Sequence, residues 1–200
     1  MRLPRWVKPV VWLLALAPMA YLVWSLLDNQ LGANPAEALI RSTGDWTLRM
    51  LCVVLAVTPL RRALNAPSVV TLRRLLGLFV FFYASVHLLS YSLLDMGWDV
   101  GAIVSDVWKR PFITVGVGAW LLLLALTLTS PKAIVKRMGG KRWQRLHKSV
   151  YAVACLAVLH FFWMRAGKQN FAEVWVYAAV LGLLLASRLL PKRVVKPAQA

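Results

Sequence analysis

The sequence predicts an all-α membrane protein, a bundle of six transmembrane helices with both termini cytoplasmic. Three observations predict it. Of 200 residues, 60% are hydrophobic, and the mean hydropathy is +0.65; soluble domains average about 45–50% apolar. The apolar residues are gathered into stretches near the roughly 20 residues that a helix needs to cross hydrocarbon. Positive charge is divided unequally between the two sets of loops that such helices leave.

The stretches are Val10–Leu27, Trp46–Leu60, Leu75–Leu94, Phe112–Thr129, Ser149–Met164 and Phe171–Leu190. The second and fifth are short, so flanking residues are expected to complete them. In the first, the small-residue site Ala15-Leu16-Ala17 precedes Pro18, a poor place for cleavage, so this stretch is expected to stay as the first helix. The connections are short and carry no repeat or low-complexity tract, which predicts one domain over 1–200.

With the N-terminus in the cytoplasm, the inner segments hold Arg2, Arg5, Lys8, Arg61, Arg62, Arg73, Arg74, Lys132, Lys136, Arg137, Lys141, Arg142, Arg145, Lys148, Arg188, Lys192, Arg193 and Lys196, with no acid. The outer segments hold the remaining cations, Arg41, Arg49, Lys109, Arg110, Arg165 and Lys168. They also hold every acid: Asp28, Glu37, Asp45, Asp95, Asp99, Asp106 and Glu173. This bias orients the bundle. The net charge of +17 does not indicate nucleic acid, because the cations lie at helix ends rather than on one soluble face. Anionic headgroups are their natural partners. Trp6, Trp24, Trp46, Trp98, Trp108, Trp143, Trp163 and Trp175 fall near the expected interfaces and read as anchors. Cys52 and Cys155 lie inside helices, outside any metal-ligand spacing, and read as small hydrophobes.

His87, His147 and His160 carry the functional signal. An ionisable side chain within a membrane helix marks a site by default. His87 lies 13 residues beyond Arg74, and His160 lies 13 residues beyond His147; each interval is roughly 20 Å of helix. His87 and His160 are therefore expected at one depth on different helices, where two imidazoles can hold one haem iron from both faces. Hydrogen bonding between helices and proton relay are the alternatives for a single histidine. His147 belongs at the cytoplasmic mouth of its helix, as ligand to a second haem, a flavin contact or a plain interfacial residue. A separation of 13 residues turns it off the face of His160.

Three segments carry a family resemblance. They are Leu72-Arg73-Arg74-Leu75-Leu76-Gly77 with Tyr83 and His87; Asp106-Val107-Trp108-Lys109-Arg110-Pro111-Phe112-Ile113-Thr114-Val115-Gly116; and Trp143-Gln144-Arg145-Leu146-His147-Lys148-Ser149-Val150-Tyr151 with His160 and Trp163. Over essentially the whole length the chain resembles the MsrQ (YedZ) family of haem-binding membrane subunits, within the ferric-reductase-like transmembrane superfamily that includes NADPH oxidases. The resemblance implies a multi-pass protein of the bacterial inner membrane with haem b, one or two per chain, and FMN. It places His87, His147 and His160 at the family's haem-iron ligand positions. It implies electron transfer from the quinone pool or a cytosolic flavin reductase to the periplasmic molybdenum reductase MsrP, which repairs oxidised methionine in envelope proteins. Superfamily oxidases carry two histidines on each of two helices; this chain has one on its third.

No connection is long enough for a nucleotide-binding domain. There is no GxGxxG, and Gly139-Gly140 reads as a turn. The chain is thus expected to be an electron-transfer subunit without a complete catalytic domain. Electrons are expected to enter near His147, Arg73 and Arg74. These arginines either pair with haem propionates or a flavin phosphate or simply mark the helix end. The acceptor is expected on the outer loops around Asp95, Asp99, Asp106, Lys109 and Arg110. A stand-alone ferric or quinone reductase and a small transporter or assembly factor are the rival functions; no acid lies deep in a helix to support transport.

Overall fold

The computed structural model describes residues 3–167 and 169–189. The order is α1 (Val7–Leu27), α2 (Pro35–Ala63), a 3-10 turn (Pro67–Leu72), α3 (Arg73–Ser90), a π-helical turn (Tyr91–Asp95), α4 (Val100–Lys109), α5 (Pro111–Leu128), α6 (Lys132–Met138), α7 (Gly140–His147), α8 (Val150–Ala166) and α9 (Ala172–Ala186). Among the described residues there is no strand. Of the residues used in the charge argument, Arg2, Lys168, Lys192, Arg193 and Lys196 lie outside the described residues, as does Leu190 at the end of the last predicted stretch.

Each predicted apolar stretch forms a helix, with different bounds. Four helical segments are long and apolar enough to cross a membrane: Val7–Leu27, Pro67–Asp95, Pro111–Leu128 and Gly140–Ala166. The two others are α2, which is long but charged at both ends, and α9, which is apolar but has 15 residues. The second stretch was expected at 46–60, yet its helix begins at Pro35. Asn34 explains the early start: its side chain accepts from Glu37 N at 3.1 Å, and Pro35 takes the first helical position, where a missing N–H costs nothing. The connections also contain short helices that apolar periodicity over membrane lengths does not reveal. One is α4, capped by Asp99 accepting from Ala102 N. The others are α6 and α7, parted by Gly139 at φ +81°.

Packing organises these helices into two pairs. α3 lies chiefly against α2, and α8 against α5. Leu51, Val80, Tyr83 and Val153 are buried in one hydrophobic core drawn from α2, α3 and α8. Polar side chains tie helices together where water is absent: Tyr83 OH donates to Ala15 O of α1 at 2.7 Å, and Trp120 Nε1 donates to Ser85 Oγ at 3.0 Å. Large apolar side chains face outward, with Leu13 and Leu183 68% and 72% exposed. Aliphatic surface on this scale is stable against lipid, where every helix satisfies its own backbone.

Candidate functional site

His87, near the C-terminal end of α3, turns toward α2. Its Nδ1 lies 2.8 Å from Ile40 O and 3.5 Å from Thr43 Oγ1. A carbonyl oxygen can only accept, so Nδ1 carries the proton and Nε2 keeps its lone pair. Thr43 supports this arrangement: its hydroxyl is spent on Leu39 O at 2.8 Å and Ile40 O at 3.0 Å.

His160 on α8 repeats the device on α5. Its Nδ1 lies 2.6 Å from Phe112 O, which again places the proton on Nδ1 and the lone pair on Nε2. In each pair the accepting carbonyl stands four residues before a glycine, Ile40 before Gly44 and Phe112 before Gly116. The imidazoles lie against these glycines. A Cβ on Gly44 would meet His87 Cε1 at 3.1 Å, and one on Gly116 would meet His160 Nδ1 at 2.8 Å. The absence of side chains at 44 and 116 is what lets the rings reach the helix backbone.

The two ring centroids lie 6.1 Å apart with the ring planes nearly perpendicular, at 83°. Two metal–nitrogen bonds of about 2 Å, each extended by the ~1.1 Å radius of an imidazole, separate axial ring centres by roughly 6 Å. A histidine that donates from one ring nitrogen to a carbonyl and presents the other is the usual pose of a metal ligand. Both rings line one cavity with about 1380 Å³ of empty space, part of it open to the surroundings. Among the described residues no three His, Cys, Asp or Glu side chains converge to enclose a metal ion. Two neighbouring imidazoles in a largely apolar cavity thus suit a metal whose other ligands come from a macrocycle.

His147 is placed differently. It is the last residue of α7, stacked on Trp143 with centroids 4.0 Å apart. Its Nε2 lies 3.2 Å from Thr129 Oγ1, and that hydroxyl already donates to Ala125 O. His147 must therefore donate from Nε2, the opposite tautomer from the other two. It lines a second cavity with about 1730 Å³ of empty space, together with Arg73, Arg74, Lys132, Lys148, Tyr151 and Arg188. Arg73 donates to Thr58 Oγ1. Arg188 lies over the Tyr151 ring and donates to Tyr151 OH and Leu55 O. Leu51, Val80 and Leu123 line both cavities, so one aliphatic layer separates them.

Beyond His87, a π-helical turn brings Tyr91 to Asp106, which also receives Arg110 through Nε and Nη2. The Arg110 hydrogen bonds, aided by Tyr91, hold the Asp106 carboxyl below its ordinary 3.8. A depressed carboxyl contributes stability that is present above the unfolded-state value and is lost as pH falls through the folded one. Melting temperature in detergent is therefore expected to drop below about pH 4 more steeply for the wild type than for Asp106→Asn. Parallel acid limbs would show that this cluster does not govern acid stability.

Of the residues singled out in the sequence, the structure brings His87 and His160 to one cavity and His147, Arg73 and Arg74 to another. Sequence reasoning gave Gly44 no role and Gly116 only a place in a motif. The signal that finds them is the pairing of a carbonyl at i with glycine at i+4 on the helix facing each histidine. It missed Thr43 and Arg188 as well, since neither belongs to a local pattern.

Fold and site together define a helical membrane protein with a neighbouring pair of imidazoles in its interior. The family model described as ferric reductase like transmembrane component matches residues 43–158. A protein-methionine-sulfoxide reductase heme-binding subunit MsrQ from Polaromonas naphthalenivorans is 58% identical over 90% of this chain and 83% of its own length. Proteins of the same name from Ralstonia nicotianae and Rhodospirillum rubrum are 50% and 45% identical, over 92% and 90% of this chain and 85% and 86% of their own lengths. The chain belongs to the MsrQ family, within the ferric reductase like transmembrane proteins.

Proposed function

We propose that this chain is a haem-binding electron-transfer subunit of the bacterial inner membrane. It receives electrons from quinol or a cytosolic reduced flavin and passes them to the periplasmic molybdenum reductase MsrP, which reduces methionine sulfoxide in oxidised envelope proteins. The observation that carries this reading is the pair of imidazoles, His87 and His160, each held by a backbone carbonyl with its Nε2 free, and with ring centres 6.1 Å apart in one cavity. In this reading α2 and α9 cross the membrane with the four longer segments, and the cation bias puts both termini in the cytoplasm.

Haem b, when bound, supplies a one-electron carrier whose potential the axial ligands and burial set. The protein supplies the rest. Ile40 O and Phe112 O fix the tautomers and make both imidazoles more basic. Leu48, Leu51, Val80, Leu123 and Val153 line the cavity and limit the access of water.

The second cavity is the donor side. Arg73 and Arg74 sit in the first turn of α3, at the positive end of the helix dipole, where cations are unfavourable unless an anion joins them. With Lys148 and Arg188 they suit the phosphate of FMN or the carboxylates of a second haem. His147 is the family-implied ligand there and offers Nδ1. The single aliphatic layer between the cavities keeps the two compartments close.

The test uses purified protein in detergent, reduced with a flavin reductase, NADPH and flavin, and followed by its optical spectrum. Reoxidation of a b-type spectrum that requires MsrP and methionine sulfoxide is expected. Reoxidation by a ferric chelate, with none by MsrP, would make the chain a stand-alone reductase. Protein made with ample haem that carries none would end both readings.

A further inference from the structure

The cavity that holds His87 and His160 has a polar end and an apolar end. Arg41, Asp45, Tyr91, Asp95, Arg110 and Arg165 lie at one end, toward α4. The opposite end is aliphatic. A ligand with one charged edge can therefore seat in only one direction.

Two of the arginines have donors to spare. The Arg165 side chain is 13% exposed, pairs through Nη2 with Glu173 and lies over the Phe161 ring. Its Nε is buried and has no hydrogen-bond partner. A buried guanidinium N–H without an acceptor is costly and calls for one. Arg110 is gripped by Asp106 through Nε and Nη2, with Asp95 at 3.7 Å from Nη2, and makes no hydrogen bond from Nη1 among the described residues. It lies over the Phe112 ring, and the carbonyl of Phe112 holds His160. Arg41 is already engaged by Glu37 at 3.3 Å. Asp45 and Asp95 face the same space, so the cavity end is not simply cationic; what distinguishes Arg110 and Arg165 is fixed geometry with unused donors.

We propose that Arg110 and Arg165 bind the two carboxylates of the tetrapyrrole at the α4 end of the cavity and so set the direction in which the macrocycle faces. The inference rests on the axial roles of His87 and His160. Asp106 and Glu173 act as positioning residues that hold the two guanidinium groups. The carboxylate edge then lies beneath the loop where the acceptor is expected.

The test is a Soret titration of haem-depleted protein with haem and, separately, with haem dimethyl ester, which lacks the two charges. Wild type is expected to prefer haem over the ester. Arg110→Gln and Arg165→Gln are each expected to cut that preference about 10-fold while binding the ester as wild type does. Unchanged ester binding also shows that each variant retains its cavity. A preference equal to wild type in both variants would overturn the proposal. His87→Ala separates the two levels: if it binds both haem forms as wild type does, the axial reading fails instead.

Discussion

Substituting His87 or His160 with alanine is expected to abolish the b-type spectrum, with haem affinity reduced more than about 100-fold. Perturbing residues that only orient metal ligands costs about 10- to 100-fold in affinity, and removal of a ligand itself should exceed that. Either variant leaves one imidazole facing the cavity with its Nε2 lone pair unused. The same substitution at His147 should leave the haem between the other two in place, because His147 lines a different cavity and spends its Nε2 on Thr129. Haem quantified per chain, with the reduced-minus-oxidised spectrum, checks this. Equal loss in all three variants would contradict the separation into two compartments. Retention of the full signal in His87→Ala and His160→Ala would refute the pairing itself.

Gly116→Ala is the second large effect. An added Cβ would stand 2.8 Å from His160 Nδ1 and 3.0 Å from its Cε1, closer than packed atoms allow. The ring must move, and its 2.6 Å tether to Phe112 O must lengthen or break. Stability alone will not report this. Glycine in a helix interior is about 1 kcal/mol worse than alanine, while overpacking costs about 1–3 kcal/mol, so the two partly cancel. Haem affinity has no such offset and is expected to fall about 10- to 100-fold. Gly44→Ala, with its nearest contact at 3.1 Å, should follow the same direction with a smaller loss. Gly118→Ala is the control: it sits on α5 as Gly116 does, with nothing within 4 Å of its Cβ, and should leave haem binding unchanged. A Gly116→Ala protein that binds haem as wild type does would show that the ring does not depend on this contact.

These effects separate what is legible along the chain from what is not. Apolar stretches of membrane length can be read directly, because each helix satisfies its own backbone and needs only a run of suitable side chains. The depth match of His87 and His160 can also be read, since it needs only the helical rise and a common starting surface. Short helices outside the long apolar stretches are less legible. α4, α6 and α7 depend on single events such as the Asp99 cap and the break at Gly139, and no long apolar period announces them.

The sequence by itself determined the membrane class, the helical character and the identity of the histidines that meet. These follow from composition, local periodicity and charge placed along one dimension. Only the tertiary structure decided that Ile40 O and Phe112 O hold the two imidazoles, that Gly44 and Gly116 make room for them, and that Arg165 brings an unpartnered Nε to the Glu173 end of the bundle. Each of these depends on a contact between residues more than 40 positions apart, or on a guanidinium held by a neighbouring helix. Such contacts form only once α3 packs on α2 and α8 packs on α5. Hydrogen bonds act over about 3 Å, and no pattern within one helix specifies which carbonyl of another will lie at that distance.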